Sequence, residues 1–357
     1  MNTGVAISAS NVRGRMNVHL VGSVPLSNTE AVFRTICSCL GPHLRRLPDG
    51  ETGARRFWVG MISQILDRHD AFEIDPDEPP FVMKLASGKA FREYKRLRIR
   101  AGRDPRALRF KTGYDDMAIE SFVTFDRLQR EGVIPQDTRF QISIPSPLAP
   151  TYNYISPKYR AAFLDVFTTH LVEEVQRIAT ALPMDRIAIQ WDIVHEILLL
   201  ENYFNDRSEN YREQISVTLS TIGNAVQMPI QLGFHLCYGS PNDEHLVQPK
   251  DTEVMVALMH AIARGIKRPI SFFHIPVPKP RTDAEFYRPL SKLSLPEDTE
   301  LYLGLIHVND EEGNRRRLWQ GRQFTRVAGI ATECGWGRTD PTRVGELTEL
   351  HRKIAES

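Results

Sequence analysis

The chain has 357 residues, 41% of them hydrophobic, with 45 Lys and Arg against 44 Asp and Glu. A net charge of +1 supplies no basic field for nucleic acid or an anionic membrane, so neither is expected as a partner. Four cysteines make no disulfide framework, no run approaches the ~18 apolar residues of a transmembrane helix, and Met1 to Met16 lacks the apolar core of a signal peptide; the expectation is a cytoplasmic protein with a loose tail over residues 1–16.

Asn17 to Val21 reads as a strand ending in Gly22-Ser23-Val24-Pro25. Ser27-Asn28-Thr29-Glu30 then offers helix N-cap chemistry, with apolar helical spacing to Leu40 and a stop at Gly41-Pro42. His43 to Leu47 is a weaker strand running into Pro48-Asp49-Gly50-Glu51-Thr52-Gly53, and a helix follows from about Ala54 to Arg68. Residues 70–138 break the alternation. They hold an acidic proline-rich loop, a basic stretch from Lys84 to Arg103 that reads as a solvated helix face, and a helical stretch from Asp116 to Glu131. This segment is taken as an insertion able to form a lid over a site.

Regular alternation then resumes. Strands are expected over Arg139 to Ile144, Arg186 to Trp191, Pro229 to Leu236, Pro269 to Phe273, Glu300 to Ile306 and Val327 to Thr332. Helices are expected over Pro157 to Leu182, Asn205 to Val226, Asp251 to Arg264, Glu311 to Phe324 and Pro341 to Ala355. Strand then helix, repeated in this way, predicts an α/β fold: one (β/α)8 TIM barrel over residues 17–357 with the 70–138 insertion after the second strand. The competing architecture is an open doubly wound sheet. No Gly-x-Gly-x-x-Gly follows any expected strand, which counts against its dinucleotide-binding form.

Chemistry in such a barrel sits at the carboxyl ends of the strands. Read in order, those ends carry Ser23, Glu51, Ser146, Asp192, His235 with Cys237, His274, His307 and Cys334. His235 and Cys237 lie two apart on a strand and share a face. An imidazole and a thiolate there suit a borderline-soft metal, zinc above all. Alone, such a pair is more often a buried thiol beside a satisfied histidine. The run of polar, metal-capable strand ends argues for convergence on one site.

These stretches resemble a known family. Val21-Gly22-Ser23-Val24-Pro25, Asp49-Gly50-Glu51, Ile144-Pro145-Ser146-Pro147, Gln190-Trp191-Asp192, His235-Leu236-Cys237-Tyr238, Ile306-His307 and Glu333-Cys334-Gly335 are similar, in order, to the catalytic barrel of cobalamin-independent methionine synthase, within the superfamily that includes uroporphyrinogen decarboxylase. The resemblance implies zinc held by His235, Cys237 and Cys334, with a substrate thiol joining the metal. A free thiol has a pKa of ~8.5 and is mostly protonated at neutral pH; coordination removes that proton. It further implies that Ser23, Glu51 and Asp192 hold an acceptor such as homocysteine, with Ser146 on the same rim. His307, with Asp192, serves the chemical step as methyl leaves its donor. Where the family has a glutamate ligand this chain has His274, which either ligates zinc or faces substrate. The family's tryptophan-bearing folate loop is replaced by Thr151-Tyr152-Asn153-Tyr154, which leaves the donor open.

The implied activity is zinc-dependent methyl or other alkyl transfer to a small thiol, as in methionine biosynthesis. Two alternatives stay open: a metal-dependent hydrolase or lyase on the same barrel, and a non-catalytic barrel that binds metal or a small molecule. His19 reads as a core histidine, and Cys37 and Cys39, two apart on a helix, as packing rather than a redox pair. Arg55 or Arg56 could meet a substrate carboxylate or a surface acid.

Overall fold

Apolar runs bounded by Gly, Pro or Asp fold as short parallel strands. In the computed structural model, which describes residues 16–57, 59–241 and 244–357 (for Ala54 and Phe57 the backbone only), these are β1 (Asn17–Val18), β2 (Arg46–Pro48), β3 (Arg139–Pro145), β4 (Ile187–Ile193), β5 (Gln231–Leu236), β6 (Phe272–Pro276), β7 (Glu300–Ile306) and β8 (Gly329–Thr332). They form one eight-stranded sheet in the order β1-β8-β7-β6-β5-β4-β3-β2, every neighbouring pair parallel. A bridge between Val18 and Leu44 joins the two edges. This is the barrel expected from the alternation, each strand overlapping its expected range, with β2 and β6 starting about three residues later than expected. The expected tail over 1–15 lies outside the described residues, whereas Met16 is buried and its carbonyl accepts from His43 Nδ1 at 2.9 Å.

Helices cover the outside. Thr29–Leu40 starts at Asn28, whose side chain accepts the Ala31 N–H at 2.9 Å. Arg160–Ala181, Tyr211–Ala225, Glu253–Gly265, Glu311–Arg322 and Val344–Ala355 continue the ring. Strand alternation sorts β4: Ile187, Ile189, Trp191 and Ile193 are fully buried and alternate with Gln190 and Asp192, which face the barrel interior. Inside, Gln190 Oε1 lies 2.9 Å from His19 Nε2, and the Gln190 and Gln141 amides donate to the Val21 carbonyl at 2.7 and 3.0 Å. His19 is the core histidine expected.

The amino-terminal end of the barrel is closed by Arg46, which bonds Glu300, Tyr302 (2.7 Å) and Gln231 (2.8 Å) and stacks 4.1 Å above the Phe272 ring. Gly233 makes room for that ring, since a Cβ there would lie 2.1 Å from it. Structure at this end serves stability and leaves chemistry to the other.

The 70–138 segment departs from expectation in two ways. The basic stretch is not a helix face. Phe72–Ile74 pairs antiparallel with Leu97–Ile99, and Phe81–Lys84 with Ala90–Tyr94 through a turn at Gly88, whose φ is +85°. Charged residues interrupted by Phe91, Tyr94, Leu97 and Ile99 satisfy either period over so short a run; acid partners favour the ribbons, Arg98 and Arg100 meeting Glu73 at 2.8 and 2.9 Å and Arg96 meeting Asp206 at 3.0 Å. Second, the helix Tyr114–Arg130 packs against Thr29–Leu40 and Arg160–Ala181 as one of the barrel's outer helices, so the irregular part ends near Gly113. The Phe81–Tyr94 ribbon is pinned over the carboxyl end of the barrel. Tyr203 Oη bonds both Lys84 N and O at 2.8 Å, Ala86 N–H donates to the His245 carbonyl at 2.9 Å, and Ser87 N–H donates to Glu244 at 3.0 Å. Among the described residues no helix is long and apolar enough to cross a membrane.

Candidate metal centre and cavity

A cavity of about 370 Å³ opens at the carboxyl ends of the strands. Its floor carries Ser23, Glu51, Asp192, His235, Cys237 and Cys334, and Met83, Arg92 and Tyr94 of the pinned ribbon form its roof. Residues from both ends of the chain and from the insertion thus meet in one space.

Parallel register sets the floor. Asp192, His235 and His274 pair side by side on β4, β5 and β6 and project to the same face. Cys237 follows the end of β5, its N–H donating to the Ile193 carbonyl at 3.0 Å, and Cys334 follows β8. His235, Cys237 and Cys334 bring one ligand atom each within 4.8 Å of the others. Cys237 Sγ accepts the Gly239 N–H at 3.3 Å, and Gly239 supplies a left-handed turn, φ +65°, beneath it. The two thiols share a hydrogen bond. It holds Cys334 well below the ordinary thiol range, with His235 and Arg338 adding to the effect, and it pushes Cys237 up, with burial adding to that. Cys334 is thereby the more thiolate-like of the two sulfurs, which suits a soft cation.

The ring of His235 is held from behind. Its Nδ1 lies 2.6 Å from His274 Nδ1, and His274 Nε2 lies 3.1 Å from the Thr332 carbonyl. Burial, with His235 and His19 beside it, holds His274 well below the ordinary imidazole value, so it is neutral. His274 therefore stands behind His235 and not beside the sulfurs.

The carboxylates are placed by a strained turn. Gly50 has φ +82° and Glu51 φ +48°, the latter uncommon for a side-chain-bearing residue. Asp49 Oδ1 accepts the Glu51 N–H at 2.9 Å and Asp49 Oδ2 pairs with Arg55 at 2.5 Å, so Arg55 serves the turn while Arg56 lines the cavity. Burial, then the neighbouring Asp192, raises the Glu51 carboxyl well above the ordinary range. Gln190 donates to Asp192 at 2.9 Å. Ser23 Oγ accepts the Gly337 N–H at 3.1 Å, and its carbonyl accepts the Trp336 N–H at 2.7 Å. That clamp ties the end of β1 to the Cys334 loop.

Besides His274, two expected residues lie off the cavity. Ser146 is fully buried, bonds the Glu196 carboxyl and accepts the Leu148 N–H at 3.2 Å; it starts a helix and does not line the space. His307 accepts or donates at neither floor sulfur: its Nε2–H donates to the Val277 carbonyl at 2.9 Å, and its Nδ1 lies 3.8 Å from Glu333. Other lining residues were not singled out from sequence. His195 and Asn153, joined at 2.8 Å, form one wall, and Arg338, 3.0 Å from Ser240, forms another. His245 Nε2 stands 3.0 Å from Glu333, the residue before Cys334. Asn153, Arg338 and His245 sit at no strand end, and His195, two residues past β4, is marked only by its partner Asn153.

No protein-family model and no curated protein matches the chain. Solved structures do. A B12-independent methionine synthase from Shewanella sp. W3-18-1, in complex with selenomethionine, aligns at a TM-score of 0.56 and 12% identity, over 96% of each chain. A putative vitamin-B12-independent methionine synthase from Listeria monocytogenes aligns at 0.53 and 14% identity, over 92% of this chain and 86% of that one. At these identities the likeness is one of fold.

Proposed function

We propose that the protein transfers a methyl or other alkyl group to a small thiol acceptor bound at a zinc ion, which His235, Cys237 and Cys334 hold. One observation carries the reading: an imidazole and two thiols lie within 4.8 Å of one another on the floor of a cavity at the carboxyl ends of the barrel strands. The donor set fits zinc, and three protein ligands are the number a zinc site keeps when the fourth place is left for a reactant. Zinc there supplies a thiolate from the acceptor thiol at neutral pH.

The chain's own residues do the rest. Glu51 and Asp192 face the cavity as a repelling pair. An acceptor's ammonium group placed between them relieves the repulsion, which orients the sulfur toward the metal ligands. In the transfer the donor–carbon bond breaks, the carbon–sulfur bond forms, and the donor departs with its electron pair and the proton that the acceptor thiol gave up. Ser23, clamped by Gly337 and Trp336, lines the opposite wall. Met83, Tyr94 and Arg92 roof the cavity and limit water. The resemblance found in the sequence, and the methionine synthases of like fold, support the same reading.

The test is zinc per chain in protein purified without added metal or chelator. About one zinc per chain is expected, lost in both Cys237→Ser and Cys334→Ser. Full zinc retention in both variants overturns the metal assignment. Thiols are then screened as acceptors against methyl donors.

A further inference from the structure

We infer that His274 is a positioning residue of the metal centre: it fixes the ring of His235 and ties the β5 ligands to the β8 ligand by one hydrogen-bonded chain. The inference rests on the reading that His235, Cys237 and Cys334 hold a metal.

The chain of bonds has one consistent proton assignment. The Thr332 carbonyl can only accept, so His274 Nε2, 3.1 Å away, carries a hydrogen. An imidazole with its hydrogen on Nε2 presents a lone pair at Nδ1, and two N–H groups do not face each other at such a distance. The 2.6 Å contact between the two Nδ1 atoms then needs its hydrogen from His235. With its hydrogen on Nδ1, the His235 ring leaves Nε2 to present a lone pair. The backbone carbonyl of β8 thus dictates, through His274, which nitrogen of His235 is bare. Ligating histidines commonly donate their second nitrogen to an outer partner that sets the tautomer. Here the partner is another imidazole, itself set by a carbonyl two residues before Cys334.

The β7 strand lies between β6 and β8, so His274 must reach across it. Gly304 of β7 permits this: a Cβ there would lie 2.7 Å from His274 Nε2 and 2.7 Å from the Thr332 carbonyl. The glycine stands in the path of the bond. Thr332 is fixed in turn, its Oγ1 donating to the Cys334 carbonyl at 2.7 Å and accepting the Trp336 Nε1–H at 2.8 Å. Both nitrogens of His274 are used, so ligation by His274 requires giving up at least one of these bonds.

Three measurements decide it. In metal-free protein labelled with 15N-histidine, NMR should find His235 protonated on Nδ1 and His274 on Nε2. In zinc-loaded protein, X-ray absorption should count one imidazole and two protein thiolates. Competition against a chelator should show zinc affinity falling 10- to 100-fold in His274→Leu. His274→Gln, whose amide can donate to Thr332 and accept from His235, should stay within a few-fold of wild type. Two imidazoles on zinc, an Nε2–H tautomer at His235, or unchanged affinity in a folded His274→Leu would each overturn the inference. Absence of zinc from wild-type protein would instead sink the proposed function, and the tautomer measurement would still judge the hydrogen-bonded chain.

Discussion

Gly22→Ala isolates the placement of Glu51 from the fold and from the metal ligands. A Cβ on Gly22 would lie 2.3 Å from Glu51 Oε1 and 3.0 Å from its Cδ, while the next neighbour, Ser143 Oγ, is in ordinary contact at 3.4 Å. The first distance is about 1 Å short of normal non-bonded contact. Gly22 has no left-handed φ, so alanine's backbone is unstrained there. The overlap falls on the free end of a flexible side chain, so the carboxyl moves by about 1 Å and the backbone stays. A misplacement of that size in a group that orients a reactant costs about 100-fold, or ~2.7 kcal/mol of activation free energy. The expected result, in a methyl-transfer assay with an amine-bearing thiol, is a kcat/KM lowered by about 100-fold. Zinc content should be unchanged and unfolding free energy within about 1 kcal/mol of wild type. A kcat/KM within threefold of wild type refutes the role given to Glu51, and loss of zinc refutes its separation from the ligand cluster.

Other outcomes follow from the same geometry. Glu196 is fully buried and its carboxyl is raised to about 7, mainly by burial. Between the ordinary carboxyl value and about 7 the folded state therefore binds more protons than the unfolded one, and stability falls as pH rises through that window. Glu196→Gln should be more stable than wild type at pH 8 by an order of magnitude of 3 kcal/mol, with no gain at pH 4; equal gains at both pH values, by chemical denaturation, would contradict this. Arg46→Met should destabilise by about 3 kcal/mol, the low end for a broken buried pair because Glu300 keeps some contact with water, yet leave zinc content intact; zinc loss at equal stability would deny the division between the two barrel ends. Limited proteolysis between Leu85 and Ala90 should slow when a ligand fills the cavity, since that ribbon roofs it; identical cutting rates with and without ligand would rule out a lid.

The barrel was legible because each of its strands is short, apolar and punctuated. Pro269 to Phe273 and Arg186 to Trp191 carry the run-then-stop pattern of strands covered on both faces. His235 and Cys237 were legible because the two-residue period of a strand puts them on one side whatever the tertiary fold. Cys334 needed the ordered resemblance, since nothing local links it to residues about a hundred positions away. The basic ribbon was misread because partners decided its period: Glu73 and Asp206, distant in sequence, meet its arginines. Ser146 and His307 occupy strand ends yet turn to Glu196 and Val277, and a strand-end position does not specify rotamer. His274 was placed on the correct strand, but its direction depends on the missing side chain of Gly304, a strand away.

The arrangement of β8 also sets an order of events during synthesis. His235 and Cys237 leave the ribosome about a hundred residues before Cys334, an interval of about 5–20 s at usual elongation rates. Before β8 exists, β1 has no sheet partner beyond the single bridge at Leu44, and Glu51 and Ser23 have no opposite wall. The strand that completes the cylinder is the one followed by the second cysteine. Closure of the barrel and completion of the ligand set are thus a single late step, and a nascent chain cannot hold the metal in its final site before it has finished folding.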